Sequence, residues 1–216
     1  MVAIAGAFTL PPLDRDEARF AQATVQMIES DDYVRINFQD RERNKKPAGI
    51  HWLQALSVQA LSDVEAREIW AYRIPSLIGV VLAALFTSAT AMTLYDRRTG
   101  LLAGLMIASA PVVAAEATIA KADGVLLATI TIAQFALAKV IARINSPART
   151  TKLYWPYLFW IAQAAGILIK GPIAPLISAL TGIGVVANRR KFDLVAKIRP
   201  VSGLLILVLL LSLIHI

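Results

Sequence analysis

Four short stretches of this chain combine residue types that can move a proton or hold an anion. The first is Asp16, Glu17 and Arg19. The second is Lys45, Lys46 and Pro47, with Arg41 and Arg43 upstream. The third is Glu116, Lys121 and Asp123, and the fourth is Lys170-Gly171-Pro172. A carboxylate can take the proton of an attacking hydroxyl. Lysine and arginine can bind a phosphate and stabilise it as a leaving group. Together these residues suit transfer of a group from a phosphate carrier to a hydroxyl. Each also has a plainer reading. Asp14 with Glu17 fits a capping box. Lys45 and Lys46 suit a headgroup anchor. Asp123-Gly124 suits a helix cap. Lys170 suits a helix C-terminus, and Pro172 a first helical turn.

The elements that must position them are apolar. Hydrophobic residues make up 57% of the 216, and cysteine is absent, which excludes a disulfide scaffold and thiolate–metal chemistry. Residues 1–71 hold 8 basic and 11 acidic side chains, whereas residues 72–216 hold 14 basic and 4 acidic. These bases punctuate long uncharged runs, the pattern of a membrane protein rather than of a nucleic-acid binder. The runs are 74–95, 99–115, 124–138 (extending to 142 if Lys139 snorkels), 153–169, 171–188 and 200–216. About 20 residues span a bilayer, so the sequence predicts about six spanning helices within 73–216. Residues 1–10 are apolar but short, and are expected to be part of a first transmembrane helix.

Alternate loops differ in charge. Arg97 and Arg98; Arg143, Arg149 and Lys152; and Arg189, Arg190, Lys191, Lys197 and Arg199 fall in every second loop. Short loops rich in Lys and Arg stay cytoplasmic, which puts 11–72, 116–123 and 170–172 on the outer side. All four candidate stretches then face the same aqueous compartment.

Residues 11–72 read as a first outer loop with structure of its own. Asp14 opens a helix in which Asp16, Phe20, Ala23 and Met27 share one face. An acid on an apolar stripe needs a partner or a wet cavity. Tyr33–Phe38 alternates as a short extended segment. A second helix is expected over Gly49–Leu61, interfacial, with Trp52 at headgroup depth. A third is expected over Asp63–Tyr72.

The run Leu10-Pro-Pro-Leu-Asp-Arg-Asp-Glu-Ala-Arg-Phe-Ala21 resembles the start of the first outer loop in GT-C lipid-linked glycosyltransferases, in particular the ArnT-like aminoarabinose transferases and protein O-mannosyltransferases. Asp32-Tyr33-Val34, Asn44-Lys45-Lys46-Pro47 and His51-Trp52-Leu53-Gln54-Ala55 follow in that loop's order. Arg73-Ile74-Pro75-Ser76-Leu77 and Ile169-Lys170-Gly171-Pro172 also fit. The resemblance spans most of residues 10–185.

It implies an all-α, polytopic, GT-C-like enzyme of the bacterial inner membrane with a periplasmic active face. Such an enzyme moves a sugar from a polyprenyl-phosphate donor to a lipid A-like or protein acceptor. Asp16 and Asp123 match the family's catalytic acids. Arg19, Lys46 and Lys170 match its donor-phosphate cations. Phe20 stands where many members have tyrosine, and Lys45 where ArnT-like enzymes often have glutamate. Members have about a dozen spans, so the resemblance also implies a fragment truncated at both ends; Leu211–Ile216 resembles the translated end of a sequencing-library transposon. With two histidines and no cysteine, neither cofactor nor metal site is predicted, although the carboxylates leave room for a divalent cation. The competing reading is a transporter or flippase of a lipid-linked or anionic solute. Transporters tend to put ionisable groups at mid-span, whereas here they gather at the ends of the spans.

Overall fold

The structure is a computed structural model that describes residues 2–12, 14–43, 46–144, 154–189 and 193–212. The uncharged runs form helices. Among the described residues two of these are long and apolar enough to cross a membrane on their own: α4, Ile69–Leu94, and α7, Asp123–Ile144. α8, Tyr154–Lys170, and α9, Ile173–Arg189, have 17 residues each, about 26 Å at 1.5 Å per residue. A short α10, Asp193–Lys197, precedes α11, Pro200–Ser212.

The expected second span, 99–115, is two helices. α5 is Arg97–Ser109 and α6 is Pro111–Glu116. Ala110 between them is extended, with ψ 123°, because the ring of Pro111 excludes the helical conformation from the residue before it. Pro111 itself suits the first turn of α6, where no N–H is needed.

α4 and α7 form the central pair, and glycine sets their spacing. A Cβ on Gly79 would stand 2.5 Å from the Gly124 carbonyl oxygen, and one on Gly124 would stand 2.7 Å from that of Ser76. Ser76 Oγ donates to the Lys121 carbonyl at 2.9 Å across the same contact.

The segment before α4 folds onto one end of this array. It comprises α1 (Val2–Thr9), α2 (Arg15–Ser30), a small antiparallel hairpin of β1 (Asn37–Phe38) and β2 (Arg41–Glu42), and α3 (Gly49–Leu61). α3 has the bounds that the sequence predicts. The helix expected over Asp63–Tyr72 starts only at Ile69. Asp63 Oδ1 instead accepts from the Glu65 N–H at 3.1 Å, and Arg67 is left-handed with φ 50°. A side chain bonding its own backbone offers the chain an alternative to helix, and here that alternative wins.

α3 is turned opposite to a helix on a water-soluble core. His51, Gln54 and Ser57 point inward and are buried, while Leu53, Leu56 and Leu61 are exposed. Each inward polar group has a partner. Pro75 lacks an N–H, which leaves the Ala71 carbonyl of α4 unbonded within its own helix; Ser57 Oγ donates to it at 2.7 Å. Trp52, expected at headgroup depth, packs among Ala23, Met27 and Ile36 and donates Nε1 to the Tyr33 carbonyl at 2.6 Å. The hairpin tip is clamped to α2. Gln26 donates to the Gln39 carbonyl at 3.1 Å and accepts the Gln39 N–H at 2.8 Å.

Candidate anion-binding and acid–base site

The first turn of α2 carries three acids that go three ways. Asp14 caps the helix, accepting the Asp16 N–H at 2.6 Å, and its other oxygen takes the Lys121 ammonium. The Lys121 bond and then the Asp16 amide hold the Asp14 carboxyl below its usual pKa.

Glu17 does not complete the expected capping box. It is 1% exposed and bonded to Arg73, which is equally buried, at 2.7 and 3.0 Å. The Ala120 N–H also donates to Glu17 at 2.8 Å. Arg73 places its remaining donors on the carbonyls of Ala7, Leu10 and Pro11, so its five N–H groups are all used. The acid on the buried face is therefore Glu17, in line with Phe20, Thr24 and Met27, and not Asp16. The spacing of three, four and three carries that signal, but the partner is 56 residues away.

Asp16 lies half-buried at the rim, where Arg19 bonds it at 3.3 Å. Both line a cavity of about 740 Å³ whose other walls are the hairpin and Lys46. Asp16, Arg19 and Lys46 are thus brought to one opening. Lys45 lies outside the described residues.

Phe20 is the floor beside this opening. The Lys46 ammonium stands 4.7 Å from its ring centroid and the Arg43 guanidinium 5.6 Å. Burial, then the nearness of Lys170, lowers the Lys46 pKa; Asp123 and Asp16 oppose this. His51 stacks on Phe20 at 5.3 Å between centroids and is fully buried. Its Nδ1 is 2.8 Å from Thr24 Oγ1, which is also 2.8 Å from Gln54 Oε1; Gln54 in turn donates to the Ala120 carbonyl at 3.3 Å. Burial first, then Arg43 and Lys46, push the His51 pKa down to about 4. The histidine is therefore neutral at pH 7 and serves as a wedge between α2 and α3.

Lys170, at the C-terminus of α8, bonds Asp123, the first residue of α7. Gly171 makes this turn with φ +76°. The pair does not line the cavity beside Asp16, but it is near enough to bear on the charge of Lys46. The five residues expected at the site thus gather at one end of the helical array. The sequence pattern suggests a helix cap for Glu17 and gives Arg73 and His51 no part in the site; Glu17 and Arg73 instead set the first turn of α2, and His51 lies beneath the floor.

The profile of the dolichyl-phosphate-mannose-protein mannosyltransferase family matches residues 45–215. Among curated proteins, the chain is 27% identical over 202 residues to the undecaprenyl phosphate-alpha-4-amino-4-deoxy-L-arabinose arabinosyl transferase of Aeromonas salmonicida, a match covering 90% of this chain and 36% of that protein. The enzyme of the same name from Pseudomonas aeruginosa is 26% identical over 194 residues, covering 87% and 34%. The chain therefore spans about a third of these relatives' length.

Among solved structures, ArnT from Cupriavidus metallidurans in the apo state superimposes with a TM-score of 0.83 at 18% identity, over 97% of this chain and 38% of that one. The same protein bound to undecaprenyl phosphate gives 0.84 at 19%, over 99% and 39%. The fold is thus the polytopic membrane fold, helical but for one small hairpin, that the pattern of apolar runs predicts. With most of its length under the family profile, this chain belongs to the dolichyl-phosphate-mannose-protein mannosyltransferase family.

Proposed function

We propose that this chain is the donor-binding and proton-accepting part of an integral membrane glycosyltransferase. It moves a sugar from a polyprenyl phosphate to a hydroxyl of a lipid or protein acceptor at the periplasmic face of the bacterial inner membrane. The observation that carries the reading is the cavity shared by Asp16, Arg19 and Lys46, with the Asp123–Lys170 pair close by. Names of the relatives support an undecaprenyl-phosphate donor, and a lipid A-like acceptor follows from the resemblance to ArnT.

In this reading residues 1–10 belong to a first transmembrane helix, 11–72 are the first periplasmic loop, and 73–216 carry about six spans. Asp16 is the general base. It removes the proton of the acceptor hydroxyl as that oxygen bonds the anomeric carbon, and the carbon–oxygen bond to phosphate breaks on the opposite face. The electron pair leaves on the phosphate, whose charge Arg19, Lys46 and Lys170 stabilise. The displacement inverts the anomeric centre. Arg19 fixes the carboxylate of Asp16 in orientation, and Asp123 steadies Lys170 and orients the sugar or acceptor.

The test is Asp16→Asn in the full-length gene product, incubated with radiolabelled polyprenyl-phosphate sugars and membrane extract. Labelled product vanishes while membrane insertion and thermal unfolding stay as in the wild type. Turnover undiminished in Asp16→Asn rules out the base assignment.

A further inference from the structure

Arg43 belongs to the hairpin wall, yet its side chain is held by aromatic rings. Its guanidinium lies 5.6 Å from the centroid of Phe20 and 5.6 Å from that of Phe38. Its backbone is fixed separately, by the Arg43 N–H donating to the Ile36 carbonyl at 2.7 Å. A guanidinium attracted to ring faces keeps its fork of N–H groups for an anion.

The bases around the site divide into two kinds. Arg19 is bonded to Asp16, Lys121 to Asp14 and Lys170 to Asp123. Among the described residues no carboxylate forms an ion pair with Arg43 or Lys46. Both line the same cavity, and both stand on Phe20. Two cations held within reach of one ring repel each other, and Arg43 is one of the charges that depress the Lys46 pKa. Below them His51 is neutral, so no positive charge beneath the ring answers a bound anion. A phosphate entering the cavity would relieve the repulsion between the two cations.

We propose that Arg43 is a further phosphate-binding residue, acting with Lys46 as a pair of unneutralised cations seated on Phe20 and taking the phosphate of a polyprenyl-phosphate donor. The inference rests on the glycosyl-donor reading above and adds to it the residue that sets phosphate affinity from the hairpin side.

The purified chain in phosphatidylcholine nanodiscs, titrated with undecaprenyl phosphate and with undecaprenol by native mass spectrometry, tests it. Wild type binds the phosphate more tightly than the alcohol. Arg43→Gln weakens undecaprenyl phosphate binding about tenfold, as expected for loss of a charged hydrogen-bond donor, and leaves undecaprenol unchanged. Arg43→Lys retains most of the affinity. If Arg43→Gln binds the phosphate like wild type while Lys46→Gln loses it, the Arg43 assignment fails and the donor site stands. Equal loss for phosphate and alcohol in Arg43→Gln also overturns the assignment, because the defect is then not in anion recognition. A wild type that does not tell phosphate from alcohol overturns the donor reading itself.

Discussion

The carboxylate of Glu17 and the guanidinium of Arg73 meet in a two-bonded, fully buried ion pair, although 56 residues separate them in the chain. The pair ties the first turn of α2 to the start of α4, and the spare donors of Arg73 close the carbonyls at the end of α1. Asp16 is the residue before Glu17, so its direction toward the cavity is set by this anchor.

Removing either partner leaves a buried charge without compensation, which costs on the order of 3–5 kcal/mol. Glu17→Gln and Arg73→Leu should each lower the denaturation midpoint sharply in detergent. The double variant should lose less than the sum of the two. Additive losses would show that the pair is not coupled.

The pH dependence of stability should carry the signature of His51. Its folded pKa of about 4 lies below the unfolded value of 6.5, so the unfolded chain binds the extra proton first. The stability from keeping it neutral is fully present above pH 6.5 and is lost as the pH falls toward 4. The loss is on the order of 3 kcal/mol. Thermal unfolding from pH 7.5 to 4 measures it, and His51→Gln should flatten that part of the curve.

Glycines along the helices should divide by their surroundings. Gly79→Val drives a side chain into the Gly124 carbonyl and should part α4 from α7, lowering both yield and melting temperature. Among the described residues nothing lies within 4 Å of a Cβ built on Gly182 or Gly184. Alanine at those two positions should be neutral or stabilising by up to about 1 kcal/mol each. Equal tolerance at all three sites would contradict the close approach of α4 and α7.

Lys170 and Asp123 should separate binding from turnover. Asp123→Asn frees the ammonium from its carboxylate, so undecaprenyl phosphate binding should stay level or rise while sugar transfer falls. Lys170→Gln should weaken binding. Calorimetric titration of both variants, beside a transfer assay on the full-length protein, tests the division; weaker phosphate binding in Asp123→Asn would argue against it.

Much of this architecture is written in local pattern. The uncharged runs mark the helices, and the apolar and polar residues of Gly49–Leu61 mark α3 to the residue. Pro111 announces the break between α5 and α6, though a count of uncharged residues passes over it. The site is legible in part. Asp16, Arg19, Lys46, Asp123 and Lys170 stand out by type and placement, and the fold gathers them. Glu17 looks like a cap because a charge in a core is the exception, and only its distant partner makes burial affordable. His51 looks peripheral for the same reason, since its surroundings come from Phe20 and Thr24 of α2 and from the Arg43 and Lys46 side chains. The helix expected at Asp63–Tyr72 fails because one side-chain bond to the backbone outweighs modest helical preference.

The orientation of α3 has a practical consequence. With histidine, glutamine and serine packed inside and leucines facing out, this helix has the polarity of an object built for oil. Residues 11–72 cut away from the spans and produced in water should therefore self-associate, and should become monodisperse only when a micelle coats Leu53, Leu56 and Leu61. Laboratories wanting this segment as a stand-alone reagent, for antibodies or for screening, need amphiphile from the first purification step.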